Sequence, residues 1–237
     1  MPGRSVRLMG RMNRAGELLI RMRAGETVPL RDTNPYVREA CAMHDLILTA
    51  PELSAGFPEV FPHPQRPVWA EVGCYLGETL AAMAARNGNL NFLGVDIRYK
   101  RVVKSARRAR QEGLENVRIV LCDAAVFLDA LPPGSLAGVN VFFPDPWPRP
   151  RHRKHRFVNL EFLQRTAVRC RPGGVFWFKT DQEDYFNEVL DLAPRAGFQP
   201  DRVPPEILGG ADFDSFFQRL FHHRPEGVFQ AVLKLKS

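Results

Sequence analysis

Val68-Trp69-Ala70-Glu71-Val72-Gly73 is a short apolar run closed by glycine, and Cys74-Tyr75-Leu76-Gly77 leads from it into an Ala-rich stretch that reaches Arg86. A run of this length ending in glycine reads as a buried strand, and the segment after it as a helix. The alternation continues downstream. Phe92–Ile97, Val117–Cys122, Ala137–Phe143 and Val175–Lys179 read as further strands, with helices over Tyr99–Gly113, Phe157–Arg169 and Gln182–Ala193. Short apolar strands alternating with helices predict a mostly parallel sheet covered on both faces. The tail differs: Phe198–Val203 and Val228–Leu235 read as strands with little helix between them, which predicts a closing antiparallel hairpin.

Upstream, Pro51, Pro58, Pro62, Pro64 and Pro67 form a Pro-rich lead-in expected to resist helix and sheet. Before it, Arg4, Arg7, Arg11, Arg14, Arg21 and Arg23 face one acid, Glu17. This segment is either a mobile basic arm for phosphates or a solvated helix face. The expected division is residues 1–67 as arm and lead-in and 68–237 as one α/β domain. A length of 237 residues suffices for a single sizeable core. Lys and Arg outnumber Asp and Glu by 33 to 26, a net charge of +7, which makes nucleic acid or an anionic membrane the partner to weigh. No apolar run is long enough to span a bilayer and the start has no signal-peptide core, so a cytoplasmic location is expected. The four cysteines are scattered, as buried thiols would be, and the pairs His152/His155 and His222/His223 lack a third ligand, so no metal is expected.

Ligands of open α/β sheets bind beyond the carboxyl ends of the strands. Glu71, Asp96, Asp123, Asp145 and Asp181 fall at five successive strand ends. Each alone could simply cap the next helix; their recurrence is the signal. Asp96 lies 23 residues beyond Gly73, the spacing of a carboxylate that grips ribose hydroxyls. A dinucleotide would share that acid, but the turn from Gly73 to Gly77 lacks the G-x-G-x-x-G spacing that seats a pyrophosphate. Acids at the other strand ends would repel phosphates. They suit a ligand bearing an ammonium and a sulfonium, which favours S-adenosylmethionine, with Asp123-Ala124 where the adenine amine is read.

The most specific stretch is Phe142-Phe143-Pro144-Asp145-Pro146-Trp147-Pro148-Arg149, followed by Pro150-Arg151-His152-Arg153-Lys154-His155-Arg156. Two prolines stiffen the turn around Asp145 and Trp147, and the run beyond offers up to six cationic or imidazole heads for phosphates. Trp147 is read either as a base-stacking ring or as a wedge in the core. Enzymes that methylate exocyclic amines usually carry a second proline after the acid of this loop, which Asp145-Pro146-Trp147 lacks.

On Asn34-Pro35-Tyr36-Val37, Glu71-Val72-Gly73, Asp96, Asp123-Ala124, Phe143-Pro144-Asp145-Pro146-Trp147 and Thr180-Asp181, the chain resembles the bacterial tRNA (guanine-N7)-methyltransferase family. The resemblance implies a Rossmann-like class I methyltransferase fold with a seven-stranded sheet, S-adenosylmethionine as donor and tRNA as partner. It implies that Glu71, Gly73, Asp96, Asp123, Ala124 and Asp145 contact the donor, with Asp145 also catalytic. Arg149, Asp181 and Ser215-Phe216-Phe217-Gln218 would meet the RNA. The chain departs from the family pattern at Tyr75, where a glycine is usual, at Arg149 in place of lysine, and at Gln218 in place of an acid. These departures leave open another RNA base or a weakened RNA-binding paralogue; monomer and homodimer also stay open.

Overall fold

The computed structural model describes residues 14–27, 35–201 and 227–236. Ser215, Phe216, Phe217 and Gln218, together with Asn34, His222, His223 and the arm before Arg14, lie outside the described residues. The chain has the α/β architecture expected. Among the described residues eight strands pair mostly in parallel, one more than the seven foreseen, the addition being the two-residue β1, Ile47–Leu48. The described residues group into two compact units, one within Met1–Arg66 and Cys74–Pro132 and one within Pro67–Gly73 and Pro133–Ser237.

In the first unit β4 (Val117–Leu121) pairs in parallel with β1 on one side and with β3 (Asn91–Asp96) on the other. Every residue of β3 is buried, which explains why the strand reads as one apolar run. Helices α1 (Arg14–Arg23), α2 (Pro35–Ala42), α3 (Ala50–Gly56), α4 (Glu78–Arg86), α5 (Tyr99–Gln111) and α6 (Ala124–Ala130) complete it. On α5, Val102, Val103, Ala106 and Ala109 form the buried stripe. Its cations lie outside that stripe, and Arg107 and Arg110 pair with Glu39 and Asp45.

The lead-in is not wholly irregular. Pro51 stands in the first turn of α3, where no backbone N–H is required. The Glu52 carboxylate accepts the Thr49 N–H at 2.7 Å, closing a capping box. Part of the basic segment is also structural. Leu19 is buried, and the Arg23 guanidinium donates to Glu52 and to the carbonyls of Ala40 and Ile47. Arg23 is therefore a joint of this unit and does not reach for phosphate.

In the second unit β2 (Val68–Val72) pairs in parallel with β5 (Leu136–Phe142), and β5 with β6 (Cys170–Thr180). The expected hairpin is present: β8 (Phe229–Leu235) runs antiparallel to both β6 and β7 (Phe198–Asp201). Helices α7 (Leu160–Arg169) and α8 (Glu183–Leu192) belong here. β6 begins five residues earlier than the apolar pattern suggested, because its start at Cys170 includes Pro172 and two glycines.

Gly138 on β5 faces the Trp69 indole, whose Nε1–H is fixed on Asn140 Oδ1 at 2.9 Å. A Cβ at Gly138 would stand 2.5 Å from that ring. Gly138→Ala should therefore cost about 1–3 kcal/mol by overpacking, read from the urea midpoint. An unchanged midpoint would mean that the indole yields without loss.

Candidate active site

Within the first unit, β3 and β4 run parallel, so Asp96 and Asp123 project from the same edge. Asp96 is the last residue of β3 and is 5% exposed. Its Oδ1 accepts the Arg98 N–H at 2.9 Å, and its Oδ2 lies 3.4 Å from an Arg101 guanidinium nitrogen. Burial pushes the Asp96 carboxyl up, by more than the Arg98 amide and the Arg101 charge pull it down. Asp123 is the N-cap of α6, and its Oδ1 accepts the N–H groups of Ala125 and Val126, both at 2.9 Å. The capping role that its position allowed is thus real, and Ala124 opens the helix it caps.

The turn after β2 is held by α5. Gly77 has φ +72°, and a Cβ there would stand 2.8 Å from Ser105 Cβ, so glycine is required. Ser105 Oγ donates to the Tyr75 carbonyl at 3.1 Å. Tyr75 itself adopts φ +52°, the left-handed conformation that suits the usual glycine. Its ring packs against Arg101, with the guanidinium carbon 4.8 Å from the ring centroid. Tyr75, Arg101 and Asp96 therefore form one cluster. Sequence spacing did not reveal Arg101's part in it, because one of six cations on α5 carries no local mark. Ile97, next to Asp96, is 47% exposed, an apolar side chain left in solvent beside a buried acid.

In the second unit the parallel strands β2, β5 and β6 bring Glu71, Asp145 and Asp181 to one edge. Glu71 and Asp181 are buried, whereas Asp145 is exposed. Gly73 is exposed at φ +84°, with open space where a side chain would begin. Asp145 sits between Phe143 at φ +51° and Trp147 at φ +43°, two non-glycine residues in left-handed backbone. Thr180 Oγ1 accepts the Gln182 N–H at 3.1 Å where β6 passes Asp181 into α8.

Trp147 is not a core wedge. It is 38% exposed and its ring packs against His155 and His152, at 5.1 and 5.9 Å between centroids. Arg149, Arg151, Lys154 and His155 are exposed on or beside a 3-10 helix, Pro150–His155. Two members of the basic run are otherwise engaged. Arg153 pairs with Asp184 at 2.9 Å, and Arg156 is buried against α8. Arg156 is thus removed from the phosphate-facing heads, because its guanidinium is buried inside the unit and bonded to Pro146, Asp184 and Glu188.

The profile of the family described as "Putative methyltransferase" matches residues 65–199. A tRNA (guanine-N(7)-)-methyltransferase of Rubrobacter xylanophilus is 35% identical over 178 residues, covering 74% of this chain and 79% of the relative. The chain belongs to the tRNA (guanine-N7)-methyltransferase family. A second member of this family, from Streptomyces coelicolor, is 36% identical, covering 68% of this chain and 66% of the relative. Among solved structures, the 16S rRNA methyltransferase KamB matches with a TM-score of 0.55 at 20% identity, over 72% of this chain and 88% of that one. That likeness establishes the methyltransferase fold and nothing about substrate. Among the described residues of this family member, no group of His, Cys, Asp and Glu is arranged to hold a metal ion, and no helix is long and apolar enough to cross a membrane.

Proposed function

We propose that this chain methylates guanine N7 of tRNA with S-adenosylmethionine. The observation that carries the reading is local: an exposed carboxylate, Asp145, is held between two left-handed residues and followed at once by a cation-bearing 3-10 helix. That places an acid beside a surface suited to a polyanion. The residues also fit the donor. Gly73 leaves backbone open to close approach, Asp96 offers Oδ2 to ribose hydroxyls once Arg101 yields, and Ile97 offers an apolar surface to adenine. Glu71 and Asp181 add negative charge that favours a cationic donor over a phosphorylated one.

S-adenosylmethionine supplies an electrophilic methyl group bonded to a sulfonium. Guanine N7 carries a free lone pair, so no side chain has to remove a proton. The work left to the protein is alignment and electrostatics. Asp145 offsets the positive charge that develops on the base, Asp181 holds its Watson–Crick edge, and Arg149, Arg151 and Lys154 hold the backbone. Asp123 Oδ2 and the start of α6 at Ala124 read the adenine amine. Ser215, Phe216, Phe217 and Gln218 are proposed to contact the RNA. Incubation with labelled donor and unmodified tRNA, followed by nucleoside analysis, should give 7-methylguanosine; label on another base would overturn the assignment.

Tyr75 supports a second reading, a paralogue with weakened donor binding, since its ring and Arg101 stand beside Asp96. Absence of donor binding in calorimetry would favour it. If Asp96 grips the donor, Asp96→Asn should raise the donor Kd about tenfold or more, the worth of one charge-assisted hydrogen bond. Folding raises the Asp96 pKa, so its ionised form opposes folding above that raised value and ceases to do so below the unfolded one. The variant should then be no less stable than the parent at neutral pH, with any advantage shrinking as pH falls through the carboxylate range. A large stability loss at neutral pH would contradict this.

A further inference from the structure

The Arg156 side chain is 1% exposed. Its Nε donates to the Pro146 carbonyl at 2.9 Å, its Nη2 to Asp184 at 2.7 Å and its Nη1 to Glu188 at 2.6 Å. Its flat face lies on the Tyr185 ring, 4.4 Å from the centroid, and the Tyr185 hydroxyl accepts the Val158 N–H at 3.0 Å. Burial alone would lower the Arg156 pKa; the two carboxylates outweigh it and hold the guanidinium charged. Asp184 and Glu188 lie one turn apart on α8, so they aim the planar fork as a pair.

We propose that Arg156 is a positioning residue for the methyl-transfer site, holding Asp145 and Trp147 through the Pro146 carbonyl. The proposal rests on the function argued above. Fixing the oxygen of Pro146 fixes the plane of the peptide that joins it to Trp147. The proline ring locks the φ that links this plane back to Asp145. On the other side, the Phe143 N–H donates to the Lys179 carbonyl at 2.8 Å. Asp145 is thus suspended between two anchors, one on β6 and one on Arg156. The left-handed Trp147 lies immediately beyond the second anchor, and backbone of that kind persists only where its surroundings over-determine it. Arg153 shares Asp184 with Arg156, which ties the 3-10 helix to the same acid.

Arg156→Lys keeps the charge but not the fork, and separates positioning from simple structural support. Trp69 and Trp177 are 2% and 0% exposed, so acrylamide quenching of tryptophan emission reports on Trp147. In Arg156→Lys that quenching should roughly double, and kcat should fall about 10- to 100-fold, with donor Kd and tRNA KM within about threefold of the parent. Unchanged quenching and kcat would overturn the proposal. If this variant does not fold, the double variant Asp184→Asn with Glu188→Gln removes the acids that aim the guanidinium. It should raise quenching in the same way, and parental quenching there would equally refute the idea. A parent enzyme inactive on tRNA, with quenching that still rises in Arg156→Lys, would sink the proposed function and leave the positioning role standing.

Discussion

Asp145→Ala should lower kcat/KM for tRNA methylation by about 100- to 1000-fold, the scale expected when one preorganised electrostatic partner of the transition state is removed. The carboxylate is exposed and lies between two left-handed residues, so truncating it leaves no buried group unsatisfied. Stability should be close to that of the parent. RNA affinity should change little, because phosphate contacts come from the neighbouring cations. Asp145→Asn should fall between the two, since it keeps the shape and the hydrogen-bonding capacity but not the charge. Single-turnover rates with saturating donor, set beside filter-binding Kd values for tRNA, separate these effects. Parallel losses of transfer and RNA binding would show that Asp145 holds the RNA and does not favour the developing positive charge.

Replacing Arg149, Arg151 and Lys154 together with glutamine should weaken tRNA binding by roughly one to three orders of magnitude at low salt. It should also lower the slope of log K against log[salt] by about two to three, since each lost phosphate contact removes about 0.7–0.9. These three are exposed, whereas Arg153 is tied to Asp184 and Arg156 is buried. Adding Arg153→Gln should therefore change the slope less than any one of the three, because its loss is partly the loss of an intramolecular pair. Methylation at saturating tRNA should persist in the triple variant. A salt slope equal to the parent's would remove the 3-10 helix from the interface.

Much of the fold was legible because burial leaves a periodic trace. Phe92–Ile97 and Ala137–Phe143 read as strands since β3 and β5 are buried along their whole length. Tyr99–Gly113 read as a helix because its apolar stripe recurs at helical spacing. What escaped was short or locally unmarked. β1 has two residues and exists by pairing with β4. α6 spans only seven residues, too short for its apolar pattern to mark it in the sequence, and the capping bonds of Asp123 open it. α3 was masked by prolines, yet Pro51 occupies the one helical turn that tolerates it.

For the site, sequence by itself determined which acids stand at the strand ends and that a proline-stiffened loop leads into a basic run. Both follow from chain order, and strand ends are set by where apolar runs stop. Only the tertiary structure decided what each charge does. Arg23 and Arg156 look like their neighbours in the chain but are enclosed by carboxylates and carbonyls from other elements, whereas Arg149 and Lys154 face solvent. A charge is free to meet a ligand only if no folded neighbour has already neutralised it, and those neighbours come from distant parts of the chain.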